Sequence, residues 1–168
     1  PTGQGVMLQV DDFVQGGLEN VVIDLAISLR DLGHRVSIAV LGREGHAAQA
    51  ARQAGLTLHS FGKRPSPQAY TELLREQQVE VVNAHYSLFG ADLCAGLGIP
   101  FVQTVHNSYV WLGPDDLEAH RQADPHTVSY ICVSATAARY ADLVLGLDVT
   151  RIKVIPNGID PRTIDRTH

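Results

Sequence analysis

Seven short runs of β-branched and aliphatic residues recur along the chain, with stretches of helical spacing between them. This alternation restricts the fold more than any other feature. The runs are GVMLQV (5–10), RVSIAVL (35–41), LTLHSF (56–61), VEVVNAH (79–85), PFVQTVH (100–106), TVSYICVS (127–134) and IKVIP (152–156). Several are apolar at consecutive positions, as strands covered on both faces must be. Between the first two runs, Leu18, Val22, Leu25, Ala26, Leu29 and Leu32 fall at three- and four-residue intervals, a stripe that faces a sheet. Gly33 is expected to end that helix. Further helices are expected over 47–54, closed by Gly55, over 68–78, with Pro67 near its start, and over 88–97. Another is expected over 135–145, with Ser134 as N-cap. Strand, helix, strand in repetition demands right-handed crossovers. The expected fold is a three-layer α/β/α sandwich with a mostly parallel sheet of about seven strands.

The 168 residues suffice for one core and are too few for two ordinary domains. A formal charge of −5, from 13 basic and 18 acidic residues, argues against a nucleic-acid partner, for which a basic face is needed. No apolar stretch is long enough to cross a bilayer, and no signal-peptide pattern opens the sequence. Cys94 and Cys132, one in a helical and one in a strand pattern, read as two buried free thiols.

In an open parallel sheet, ligands bind beyond the carboxyl ends of the strands, where strand order reverses. Polar residues gather at those ends here. Asp11, Asp12 and the pair Gly16–Gly17 follow the first run, and His85, Tyr86 and Ser87 the fourth. His106, Asn107, Ser108 and Tyr109 follow the fifth, Ser134 the sixth, and Asn157 and Gly158 the seventh. The glycine pair does not fit a dinucleotide loop, which needs G-x-G-x-x-G and an acidic residue ending the second strand. Only Glu44 is available for the latter, and it lies late. No Gly-Lys-Ser/Thr ending exists for a triphosphate loop. Two readings of the pair remain open. In one, the missing Cβ atoms let an anion approach the backbone at a helix N-terminus. In the other, the pair is a tight turn without a ligand.

The segment GGLENVVIDLAISLRDLGHRVSI resembles the start of retaining GT-B glycosyltransferases of family 4 type. VNAHYSL and VQTVHNSY look like that family's fourth and fifth strand ends, and ICVSATAA followed by KVIPNGID looks like its close. The resemblance spans about residues 5–160. It implies that residues 1–168 form the N-terminal, Rossmann-like, acceptor-side half of a two-domain enzyme. The nucleotide-sugar-binding C-terminal domain would lie outside this sequence, and the chain alone would be catalytically incomplete. It further implies a hexosyltransferase that retains configuration, with no metal and no tightly bound cofactor. The nucleotide-sugar is then substrate, and the acceptor a carbohydrate or lipid. A cytoplasmic location is implied, with peripheral contact at the cytoplasmic face of a membrane allowed. Position by position, His106 would lie at the catalytic centre and hydrogen-bond the transferred sugar. Gly16 and Gly17 would face the donor diphosphate or the acceptor, and Tyr86 and Asn107 would shape the cleft. Asn157 and Gly158 would mark the crossover toward the second domain.

Other residues carry weaker expectations. His85 is expected to act indirectly or pack in the core. No carboxylate or cysteine spacing closes a metal site around the two histidines. Asp11–Asp12 is expected to start an Asx turn, and Asp115–Asp116 to form a turn and helix cap. The long irregular stretch 107–127, with a short helix at about 116–123, reads as a functional or mobile loop. Within it Tyr109 and Trp111 either stack on a sugar or pin the loop. Lys63 and Arg64 read as solvated loop residues. The alternatives to a glycosyltransferase half are a non-catalytic carbohydrate- or anion-binding α/β domain and a fragment of a nucleotide-sugar epimerase.

Overall fold

A computed structural model describes residues 3–158. Strands β1 (Gly5–Val10), β2 (Arg35–Val40), β3 (Thr57–Ser60), β4 (Val81–His85), β5 (Phe101–Val105), β6 (Ser129–Cys132) and β7 (Ile152–Val154) form one sheet. Their order is β3-β2-β1-β4-β5-β6-β7, and every pairing is parallel. The helices are α1 (Gly17–Asp31), α2 (His46–Gln53), α3 (Pro67–Glu76), α4 (Ala91–Gly96), α5 (Pro114–Ala123) and α6 (Ala135–Leu143). The expected fold class is the observed one.

Side-chain alternation sorts the apolar runs into separate cores. Val6, Leu8 and Val10 of β1 pack with Ile38 and Val40 against Val22 and Ala26 of α1 and the alanines of α2. Met7 of the same strand faces the other way, with Val82, Ala84 and Phe101, toward Tyr70 and Leu74 of α3 and Cys94 of α4. A third cluster joins Val105, Tyr130 and Cys132 to Ala137, Tyr140 and Ala141 of α6. Both cysteines are buried and unpaired, as expected.

The local signals act as chemistry requires. Ser66 caps α3 by accepting the Ala69 N–H at 3.1 Å, with Pro67 in the first helical turn, where its missing donor is harmless. Ser134 caps α6 in the same way, accepting from Ala137 N at 3.1 Å. Gly33 and Gly55 adopt left-handed φ values of 92° and 74° just beyond α1 and α2.

Stretch 107–127 holds the expected short helix. Helix α5 starts at Pro114, two residues ahead of the expected helix, and a 3-10 turn follows at Asp124–His126. Asp116 accepts the Gly113 N–H at 2.9 Å, so the expected cap at Asp115–Asp116 is present.

A buried polar cluster lies between β1 and α3. The buried Tyr70 hydroxyl donates to Gln9 Oε1, and Gln9 Nε2 donates to Ser87 Oγ and to the Phe89 carbonyl, each at 2.8 Å. Removing the phenol hydrogen leaves a fully buried amide oxygen without its partner. Tyr70→Phe is therefore expected to destabilise the chain by about 1–3 kcal/mol. The check is a lowered urea midpoint with an unchanged slope of the transition.

Candidate functional site

Strand order reverses at β1, whose neighbours are β2 and β4. In a parallel sheet this sends the connections after β1 and β4 to opposite faces and opens a crevice at the carboxyl edge. Gly16–Gly17, Tyr86 and His106–Asn107 all follow carboxyl ends of the adjacent strands β1, β4 and β5.

The loop from β1 to α1 is tied to the loop after β2. Phe13, fully buried, donates its N–H to the Arg43 carbonyl at 2.8 Å and accepts the Gly45 N–H at 3.0 Å. Asp12 does not form the expected Asx turn. Its carboxylate accepts from the Arg43 backbone N–H at 2.7 Å and pairs with the Arg43 guanidinium at 2.7 Å, which holds its pKa below the usual carboxylate range. Glu44, the late candidate for a ribose-binding acid, is taken up by Arg52 at 2.8 Å.

These contacts separate glycines that the fold needs from one it does not. A Cβ on Gly45 would lie 2.9 Å from Val14 Cα, so the approach of the two loops demands glycine there. At Gly16 a Cβ would come within 2.7 Å of Glu19 Oε2, the movable end of a side chain. At Gly17, the first residue of α1, a Cβ would meet nothing within 4 Å. No side chain caps this helix, so its first N–H groups stay open toward the carboxyl edge.

His85 ends β4 and is 1 % exposed. Its Nδ1 lies 2.9 Å from Nε2 of His106, and its Nε2 lies 2.9 Å from Asn83 Oδ1. Both imidazoles have lowered pKa values. Burial, then the neighbouring His106, pushes His85 far down, and burial takes His106 to about 4. His85 is thus closed off from solvent and touches His106. The His106 backbone N–H donates to the Tyr109 hydroxyl at 2.9 Å, while Tyr140 donates to the Tyr109 carbonyl at 2.8 Å.

Tyr109 and Trp111 differ sharply in exposure. Tyr109 is 3 % exposed and pins its segment, whereas Trp111 is 61 % exposed. Beside both stands Tyr86, with a left-handed φ of 50° that costs a non-glycine residue on the order of 1 kcal/mol or more. Its ring lies 4.9 Å from that of Tyr109, and its hydroxyl accepts the Trp111 indole N–H at 3.0 Å. Asn107 lies in the turn after β5, and Asn157 and Gly158 are exposed beyond β7. Ile159 and Asp160 of the PNGID segment fall outside the described residues.

A cleft of about 200 Å³ opens between the ends of β4 and β5 and helix α5. Asp11, Arg64, Tyr86, Ser87, Gln103 and His120 are among its walls. The Asp11 carboxylate accepts from Ser87 Oγ at 2.7 Å, and burial nevertheless raises its pKa. Arg64 is exposed, yet it is more than a solvated loop residue: its guanidinium sits 5.7 Å from the centre of the Phe89 ring. His120 Nδ1 is buried without a partner. The sequence reading missed His120, although Asp116, Ala119 and His120 share one face of α5 by their spacing. It also missed Asn83 and Thr104, which sit inside apolar strand runs. Among the described residues no three His, Cys, Asp or Glu side chains gather as a metal site would require. No described helix is long and apolar enough to cross a membrane.

The two lowered histidines set a pH response. The unfolded chain takes up their protons as pH falls below about 6.5. The native chain resists until about pH 4 at His106, and lower still at His85. The unfolded state binds more protons in this window, so stability falls as pH drops from about 6.5 toward 4. His120, also lowered by burial, adds in the same direction. The expected result is a lower urea midpoint at pH 5 than at pH 7, with a smaller difference in His106→Gln.

The sequence model of Glycosyltransferase Family 4 matches residues 15–163. No curated protein matches the chain. Among solved structures, Anabaena Alr3699/HepE in complex with UDP aligns with a TM-score of 0.75 at 20 % identity, over 92 % of this chain and 44 % of its own. A glycosyltransferase from Rickettsia africae aligns with a TM-score of 0.74 at 17 % identity, over 94 % and 44 %. The UDP-N-acetylglucosamine 2-epimerase of Rickettsia bellii aligns with a TM-score of 0.60 at 16 % identity, over 90 % and 44 %. The chain therefore spans less than half the length of these structures, and their likeness establishes a shared fold. The family match covers most of the chain: it belongs to glycosyltransferase family 4.

Proposed function

We propose that the chain is the acceptor-side half of a hexosyltransferase that moves a sugar from a nucleotide-sugar to an acceptor. In this reading configuration is retained, no metal is needed, and a second domain supplies most donor contacts. One observation carries it. Gly17 opens an uncapped helix at the carboxyl edge, next to open space that the fold itself leaves unfilled. The same edge bears His106. Backbone N–H groups at such a helix start suit a diphosphate. UDP, present in the Anabaena structure, is the donor nucleotide to try first. In this reading Tyr86 and Trp111 offer aromatic surface to a sugar ring, and the cleft beside α5 takes part of the acceptor.

The epimerase reading retains one supporting observation, the shared fold of the Rickettsia bellii enzyme. The family match favours transfer. Product identity separates the two: a sugar joined to an acceptor supports transfer, and a free epimerised sugar overturns it.

Two substitutions probe the site. In the full-length protein, His106→Ala is expected to raise the barrier for nucleotide-sugar turnover by about 2–4 kcal/mol, the loss typical of one preorganised hydrogen-bonding group. Unaltered kcat/KM would remove His106 from the chemistry. Gly17→Ala separates binding from folding. It should leave the thermal midpoint unchanged or slightly raised, because alanine restricts the unfolded chain. Nucleotide-sugar KM should rise at the same time. A drop in the midpoint with unchanged KM would make the glycine a structural turn.

A further inference from the structure

His106 presents one ring nitrogen to His85 and the other to solvent, and the hydrogen bonds behind it decide which of the two carries the hydrogen. Asn83, His85, Thr104 and His106 have matching strand parity across the β4–β5 register, in which Asn83 opposes Val102 and His85 opposes Thr104. Their side chains therefore line one face in a row.

The row begins at Asn83. Its Nδ2 lies 2.9 Å from Thr104 Oγ1 and 3.4 Å from the Val102 carbonyl. A carbonyl oxygen only accepts, so the NH2 end of the amide must point there and Oδ1 must point to His85. Oδ1 also only accepts, so the His85 Nε2 at 2.9 Å carries a hydrogen. His85 is neutral, because burial and His106 depress its pKa, and its Nδ1 is therefore a bare lone pair. His106 Nε2 faces that lone pair at 2.9 Å. Two lone pairs would repel, so His106 Nε2 bears the hydrogen. His106 is neutral as well, which leaves its Nδ1 unprotonated. Among the described residues this nitrogen has no hydrogen-bond partner. It is not one of the buried orphaned atoms, His59 Nε2 and His120 Nδ1, so it reaches solvent at the carboxyl edge.

We propose that Asn83 and His85 are positioning residues that lock His106 in the Nε2–H tautomer, so that this edge offers an acceptor nitrogen that selects a hydroxyl donor on the ligand and disfavours an oxyanion. The identity of that hydroxyl as one on the transferred sugar rests on the function proposed above. A neutral, lone-pair-bearing imidazole gives a phosphate no attraction, and it accepts from a sugar hydroxyl without moving a proton. In this arrangement His106 is neither the cation for the diphosphate nor the acid for the leaving group.

The tautomer is read first on this chain, with 15N-labelled histidine and long-range 1H–15N correlations at pH 7. The expected pattern is an unprotonated Nδ1 and a protonated Nε2 at His106, with a protonated Nε2 at His85. A hydrogen on His106 Nδ1, or an imidazolium, overturns the proposal without any substitution. His85→Phe removes the acceptor and should mix the two tautomers. His85→Asn, whose amide oxygen can replace the lost lone pair, should restore the Nε2–H form. Failure of the asparagine variant to do so, in a folded protein, counts against the relay.

The second arm uses the full-length protein with UDP-glucose and its monodeoxy analogues. His85→Phe should lower kcat/KM for UDP-glucose by the fraction of the Nε2–H form lost, about twofold for an even mixture of tautomers. It should leave kcat/KM nearly unchanged for the one analogue that lacks the recognised hydroxyl. An equal loss across the whole series overturns the proposal. The tautomer pattern found with no sugar turnover supports the lock and counts against the glycosyltransferase reading. Turnover with the opposite tautomer supports that reading and removes the lock.

Discussion

Parallel pairing of β1 on both sides, to β2 and to β4, is the constraint from which the rest of the molecule follows. A strand that is central, buried and flanked in this way has no free edge, and its residues must be apolar or internally satisfied. Six consecutive buried positions in β1 meet that condition, with Gln9 as the single polar member. The strand that follows β2 continues outward on one side, while β4 restarts the sheet on the other. The carboxyl ends of β1, β4 and β5 thus lie side by side, and residues about ninety positions apart in the chain share one rim.

Beneath that rim run two buried polar lines, one on each face of the sheet. One passes from Tyr70 through Gln9 and Ser87 to Asp11. The other passes from Thr104 through Asn83 and His85 to His106. Every polar group placed inside an apolar core must be answered by another. Here each line resolves that demand by ending at the surface, with a carboxylate on one face and an imidazole on the other. The groups that reach the edge are therefore oriented from below, by side chains that are themselves buried.

Much of this was legible in the residues and some was not, for physical reasons. All seven strands fall within their apolar runs, and the central ones read most plainly because a doubly covered strand is apolar at consecutive positions. The turns at Gly33 and Gly55 and the cap at Ser134 depend on neighbours a few positions away, so they too could be read. Asn83 and Thr104 gave no signal, because their partnership depends on the register between β4 and β5, which no local pattern encodes. Asp12 read as a turn former, and its true partner Arg43 lies on another loop. The glycines were legible as a pair but not by purpose. It took coordinates to show that Gly45 answers to a neighbouring loop while nothing in the fold crowds Gly17.

Tyr109 holds one more consequence. Its phenol is bonded to the main chain of His106, and its own main chain to Tyr140 on α6. The imidazole is thereby anchored to the sheet and to a distant helix, upstream of the point where the chain leaves for Trp111 and α5. Lengthening, shortening or exchange of the outer rings beyond residue 109 thus meets a His106 backbone already held by its own bond to Tyr109. A chain built in this way can vary the outer rings at one end of the segment while keeping the imidazole in place at the other.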